Sequence, residues 1–451
     1  MTLSARLFPL LAGALLVAAA CSGGSGTPAR SAGAGTQIPA VPSDWATPIT
    51  LPVTPVTPAW HTVDPTLDAL DGARSIIGAY DGGAYEIEVP DKWNGDVVYF
   101  AHGFRGGATD LTVGPPPIRQ QLIDRGYAWA ASSYSANGYD PGAGAADTYA
   151  LRDIFTQKVG APKHSYVYGQ SMGGNVATVS LERYPTAYDG ALAECGALSG
   201  QGIVDYFLSW GALAGYFSDT EIAGVTTDAG SLGQTLRNKV GPVLGSPNNL
   251  TDKGKAFASA IEQMTGGPRP FFTQGFGTNY ILNFLILVQA VAAPGAANAV
   301  AQNAGTQYAV APAFGIDNDA LNRGVERVRA NPLYQDQSKY PEFGAPTGKI
   351  QRPLLTLHGT GDLFVPISME QVYRRAVDAA GAGDLLVQRA IRRPGHCTFT
   401  NEERLSAFDD LVAWVTQGKK PAGEDLTGDL SDAGKTFTNP LLDDDPGGLT
   451  P

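Results

Sequence analysis

The sequence predicts an α/β fold in which a mostly parallel sheet is covered by helices on both faces. Three observations carry this. From about Trp60 to Gly200, short β-rich runs alternate with helical patterns, the rhythm of strand–helix–strand units. That rhythm fades between Gly200 and Lys349 and resumes at Pro353. Hydrophobic residues make up 43 % of the 451 residues, enough for a packed core. The 56 glycines and 32 prolines show no three-residue period, so collagen-like and disordered classes drop out. A net charge of −12 makes nucleic acid a poor partner. Three cysteines cannot staple a chain of this length, so packing must hold it.

Residues 1–20 read as a signal peptide: Arg6, then an apolar run from Leu7 to Ala20, too short to span a membrane stably. Two readings of the cut before Cys21 stay open. One is lipidation of the Cys21 thiol after a lipoprotein-type cleavage. The other is plain secretion, because Ala18 and Ala20 also satisfy the general signal peptidase. Residues 21–58 read as a Ser/Gly-rich tether followed by a Pro-rich extended lead-in. The core is then assigned to 59–200 and 350–420, an inserted and mainly helical cap or lid to 201–349, and a C-terminal tail to 421–451.

Within the core, strands are expected at Tyr85–Val89, Val97–Phe100, Ala128–Ser132, His164–Tyr168, Gly190–Glu194, Pro353–His358 and Leu385–Ala390. Helices are expected at Ile118–Arg125, Thr148–Lys158, Met172–Arg183, Ile367–Ala379 and Glu402–Trp414. In the insertion, Tyr280–Ala293 is almost wholly apolar and too short for a membrane span. It reads either as a buried helix or as a lid helix facing a substrate cleft.

Gly169-Gln170-Ser171-Met172-Gly173 matches G-x-S-x-G. The pentapeptide is common by chance in a glycine-rich chain, but here an apolar strand leads in and a helix leads out. A serine on such a turn is held in a strained backbone, clear of the sheet, with helix N–H groups pointing at developing negative charge. Its base should be histidine, and the chain has five. His61 lies in the lead-in, and His164 begins a strand at the far end from the turn. His102 and His358 end strands in His-Gly turns and are expected to organise loops. That leaves His396, in a loop after the last strand. The third member must be a carboxylate that orients the imidazole, and Asp362 sits in the loop directly after a strand, at the sheet edge where ligands bind. The Phe104 N–H of the His102–Gly107 loop and the Met172 N–H are expected to form an oxyanion hole.

On His102-Gly103-Phe104, Gly169–Gly173, His358–Asp362 and Gly395-His396, in the order Ser171, Asp362, His396, the chain resembles the serine α/β-hydrolases over about Trp60–Gly200 and Lys349–Gly418. The resemblance implies a mostly parallel eight-stranded sheet with a cap inserted after the sixth strand, and two-step hydrolysis through an acyl-enzyme on Ser171. With Cys21 set aside, Cys195 and Cys397 remain, both expected at the catalytic edge. A disulfide pinning the histidine loop and two buried thiols stay open. Tannase-like and feruloyl-esterase-like enzymes tie catalytic segments by a disulfide in a similar way, although there the cysteine adjoins the serine, where Gln170 stands here.

The expected function is an exported serine carboxylesterase acting on small-molecule or polymeric esters with hydrophobic or aromatic groups. No metal or organic cofactor is implied, and contact with a membrane would come only through a lipid on Cys21. A peptidase releasing N-terminal residues is the alternative. It needs an acidic pair in the cap, for which Glu221, Asp228 and Glu262 are available. A non-catalytic surface binding protein is a third reading, opposed by three triad positions in the right order.

Overall fold

The computed structural model describes residues 42–50, 59–222, 229–287, 301–332 and 346–442. The signal peptide, Cys21 and the tether lie outside the described residues. Among those described, no helix is long and apolar enough to cross a membrane.

Eight strands form the central sheet: β1 (Ala73–Tyr80), β2 (Gly83–Pro90), β3 (Val97–Ala101), β4 (Ala128–Ser132), β5 (Ser165–Gln170), β6 (Gly190–Glu194), β7 (Leu354–Gly359) and β8 (Leu386–Ile391). Their spatial order is β8-β7-β6-β5-β3-β4-β2-β1. Only the β1–β2 and β2–β4 pairs are antiparallel. The sequence pattern located seven of these strands within a residue or two. It missed β1, an edge strand whose half-exposed side chains give little hydrophobic contrast. The Asp81-Gly82 turn joining β1 to β2, with Gly82 at φ +90°, was its visible signal.

Alternate residues feed two layers, as the period of a strand requires. Val97 and Tyr99 face one side, with Leu151 and Phe155 of α2 (Pro141–Lys158) and Leu181 of α3 (Met172–Arg183). Val98 and Phe100 face the other, against Leu122 of α1 (Arg119–Asp124). α2 starts earlier than the periodicity suggests, because Asp140 caps it and Pro141 occupies its first turn.

The segment between β6 and β7, where the insertion was expected, is largely helical among its described residues, including α4 (Gly202–Ser218), α5 (Asp252–Met264), α6 (Phe272–Asn279) and α7 (Leu282–Leu287). Its core is aromatic: the buried Trp210 ring lies 5.5, 5.4 and 6.3 Å from those of Phe257, Phe276 and Phe284. α7 holds most of the described part of the apolar run. Asn283, Phe284 and Leu287 are buried, whereas Ile281, Leu282 and Leu285 are 50, 40 and 40 % exposed. Residues 288–293 of that run lie outside the described residues. Two helices complete the core, α8 (Ser368–Ala379) and α9 (Asn401–Gln417), the second opened by a Thr400–Glu403 capping box.

Two segments read as loose ends are packed where the structure describes them. In the lead-in, Ile49–Thr50 pairs in parallel with Val328–Arg329, and the Trp45 ring covers the guanidinium of buried Arg327 at 4.0 Å. A proline-rich sequence does not advertise such docking, which the need to cover a buried cation explains. In the C-terminal tail, Leu426 and Leu430 are buried with Ile367 and Ala390, and Glu424 donates its N–H to Gln388 O on edge strand β8 at 2.8 Å. The tail thus covers an otherwise open sheet edge.

Candidate active site

Ser171 joins β5 to α3 at φ +59°, ψ −121°, a conformation costing about 1–3 kcal/mol for a side chain with a Cβ. The surrounding backbone enforces it. A Cβ on Gly169 would run into Gly173 O, and one on Gly173 into Ala101 O, so neither position admits a side chain. Ser171 N–H donates to Glu194 O at 2.9 Å, and Ser171 O accepts from Gly174 N–H (2.9 Å) and Ala197 N–H (3.2 Å).

His396 meets this turn from the loop after β8. Its Nε2 lies 2.9 Å from Ser171 Oγ, and its Nδ1 lies 2.6 Å from Asp362 Oδ2. Asp362 is fully buried, and its Oδ1 accepts the Phe364 and Val365 N–H groups, each at 3.0 Å. Three residues separated by 225 and 34 positions in sequence thus form one hydrogen-bonded chain from hydroxyl to carboxylate. The Phe364 ring lies 4.9 Å from the His396 ring and sits in turn 5.6 Å from Phe207 of the insertion.

The histidine loop is held from two sides. Cys397 is disulfide-bonded to Cys195, with Cα atoms 5.4 Å apart, which decides between the bridge and two free thiols. Arg404 donates to Cys397 O at 2.9 Å and pairs with buried Glu194 at 3.2 Å. Glu194 also accepts from Gln170 and from Tyr168, each at 2.7 Å, so it ties β5, β6 and the histidine loop together. Burial raises its pKa, against the pull of Arg404 and these donors. The sequence signal for this pair is a lone acid ending the apolar strand Gly190–Glu194.

The remaining histidines have their partners elsewhere. His358 is buried beneath the acid loop, its Nε2 donating to Val365 O at 2.8 Å and its Nδ1 facing Glu370 at 3.3 Å. Burial pulls its pKa down, but the hydrogen bond and charge of Glu370, the charge of Asp362 and the Val365 carbonyl together turn the net shift upward. His61 is exposed beside Asp110, and His164 pairs with Asp96 at 2.9 Å. His102 stacks on Tyr134 at 3.9 Å and donates from Nδ1 to Gly103 O at 2.7 Å. Burial first, and Arg105 second, lower its pKa from 6.5 to about 4.

That shift has a sign. Between pH 6.5 and 4 the unfolded chain binds a proton at His102 that the folded chain refuses. Its stabilisation, about 3 kcal/mol by linkage, is present above pH 6.5 and lost as the pH falls toward 4. Melting temperatures of wild type and His102→Gln at neutral and mildly acid pH should show the smaller acid loss in the variant. Equal losses would contradict this assignment.

The glycine loop after β3 runs alongside the serine: a Cβ on Gly103 would stand 3.1 Å from Ser171 Cβ. Phe104 packs in one cluster with Met172, so the two backbone segments named for the oxyanion are adjacent. As the first residue of α3, Met172 has no intrahelical acceptor for its N–H. Of the acids named for an amine-binding pair, Glu221 is exposed, Glu262 is buried near Arg269, and Asp228 lies outside the described residues.

Strand order, serine turn, acid loop and histidine loop together define the α/β-hydrolase fold. No family model matches the chain. It is similar to an o-phthalyl amidase from Xanthobacter agilis, 22 % identical over 422 residues that cover 79 % of this chain and 91 % of that protein. Among solved structures, it is similar to feruloyl esterase B from Aspergillus oryzae, at 13 % identity and TM-score 0.46, covering 78 % of this chain and 82 % of that one. A proline iminopeptidase-related protein from Thermus thermophilus is similar at 15 % identity and TM-score 0.38, covering 76 % and 99 %. At these identities the substrate does not transfer.

Proposed function

We propose that the protein is an exported serine hydrolase that cleaves carboxylic esters through an acyl-enzyme on Ser171. The observation that carries this is the hydrogen-bonded chain Ser171–His396–Asp362. His396 Nε2 accepts the hydroxyl proton as Oγ attacks the carbonyl, and buried Asp362 holds Nδ1–H in place and stabilises the imidazolium. The oxyanion is received by the Phe104 and Met172 N–H groups. The protonated His396 then hands its proton to the departing alcohol, and the same imidazole activates the water that releases the acid. The Phe364 ring, 4.9 Å from that of His396, and Phe104, packed in one cluster with Met172, favour hydrophobic or aromatic groups in the ester.

Export is supported by the Cys195–Cys397 disulfide, a bond that persists in oxidising compartments, and by the N-terminal charge and apolar pattern. The same acyl transfer also cleaves amides, and the similarity to an amidase favours that second reading. A fluorophosphonate probe tests the shared chemistry: one adduct, mapped by mass spectrometry to Ser171 and absent from Ser171→Ala, is expected. An unlabelled wild type, or labelling elsewhere, would end the proposal. Paired aryl esters and aryl amides with one acyl group then decide between the two, with the ester expected to turn over faster.

A further inference from the structure

The loop that carries Asp362 lies between the core and the insertion, and each side satisfies a different set of its backbone groups. On the core side, the Thr360 and Gly361 N–H groups donate to Ile391 O (2.9 Å) and Arg393 O (3.0 Å). On the insertion side, the carbonyls are filled. Arg269 Nε donates to Thr360 O at 2.7 Å, and Tyr206 OH and Asn283 Nδ2 donate to Leu363 O at 2.6 and 2.8 Å. The backbones also touch. A Cβ on Gly275 would run into Gly361 O, and one on Gly361 would stand 2.6 Å from Phe271 O. A buried carbonyl left without a donor costs about 1–3 kcal/mol, so the loop's position is set jointly.

Arg269 is the unusual member. It is 8 % exposed, and its other bonds go to Gly267 O (2.8 Å) and Thr265 Oγ1 (3.1 Å), with Phe272 beneath the guanidinium at 5.1 Å. All three of these bonds end on uncharged acceptors, and the carboxylates of Glu262 and Asp362 act on the guanidinium only through space. A buried cation is a poor choice for stability alone, since a well-packed apolar side chain costs the fold less. What the guanidinium provides is a rigid fork joining the end of α5 to the acid loop. We propose that the insertion is one half of the clamp that sets the triad acid, with Arg269 as its positioning residue. This rests on the reading of Ser171, His396 and Asp362 given above.

Arg269→Ala tests it, assayed on a p-nitrophenyl ester. The kcat and the rate of fluorophosphonate labelling should both fall by about 30-fold, with KM changed less than about threefold. Millimolar guanidinium should restore part of the lost kcat, which a merely structural role would not allow. Tyr206→Phe, which keeps the ring and removes the hydroxyl that donates to Leu363 O and accepts from Asn283 Nδ2, should lower kcat about fivefold with a melting temperature lowered by only a few degrees. Wild-type kcat in either variant would overturn the proposal, as would a loss in Arg269→Ala that guanidinium leaves untouched. If Ser171→Ala stays active on the same ester, the triad reading has failed instead, whatever Arg269→Ala shows.

Discussion

Asp362→Asn is expected to lower kcat by about 10³–10⁴-fold while leaving the fold and KM nearly unchanged. The reason lies in how the carboxylate is held. Oδ1 accepts two backbone N–H groups, from Phe364 and Val365, and only Oδ2 faces His396 Nδ1 at 2.6 Å. An asparagine at this site must keep its oxygen where those two donors point. Its NH₂ group then faces Nδ1, so the imidazole carries its proton on Nε2 and presents N–H, not a lone pair, to Ser171 Oγ. The base is blocked although each atom stays in place. Steady-state kinetics on a p-nitrophenyl ester, with a melting curve, check this, and a variant with more than about a tenth of wild-type kcat would contradict it.

Removing the disulfide should be the largest single change in stability. The Cys195–Cys397 bridge closes a sequence separation of 202 residues, and a loop of that size is worth up to about 5 kcal/mol by chain entropy. Activity should fall as well. Cys195 and Cys397 sit at φ +45° and +56°, left-handed conformations that cost a side chain roughly 1–2 kcal/mol. Without the bond that holds them, these turns relax, and Cys397 is the immediate neighbour of His396. Cys195→Ala/Cys397→Ala should melt about 5 °C lower and lose about tenfold or more in kcat. A double variant with wild-type melting temperature and kcat would show that Arg404 and Glu194 hold the loop alone.

These two expectations differ in how far the sequence foretold them. Asp362 was legible because strand, turn and acid are contiguous, and the turn after a parallel strand faces the ligand edge. The glycines around Ser171 were legible for the same reason, since their requirement is local. The bridge was legible only as a pair of positions at one edge. Nothing within a few residues of Cys195 says that Cys397 is its partner. Arg269 was invisible: an arginine near the end of a helix ordinarily faces water, and only the docking of the insertion buries it against Thr360 O.

The same division runs through the whole chain. Sequence alone determined the strand–helix rhythm, its interruption after the strand that ends at Glu194, the serine turn and the order Ser171, Asp362, His396. Each of these is written in hydrophobic periods and turn residues that act over a few positions. Tertiary structure decided the rest: the edge strand Ala73–Tyr80, the packing of the lead-in against Val328–Arg329, the cover that the C-terminal stretch lays over β8, and the donors filling the acid loop. Those contacts join segments far apart in the chain, and their free energy comes from satisfying buried polar groups and open strand edges that exist only once the sheet has formed.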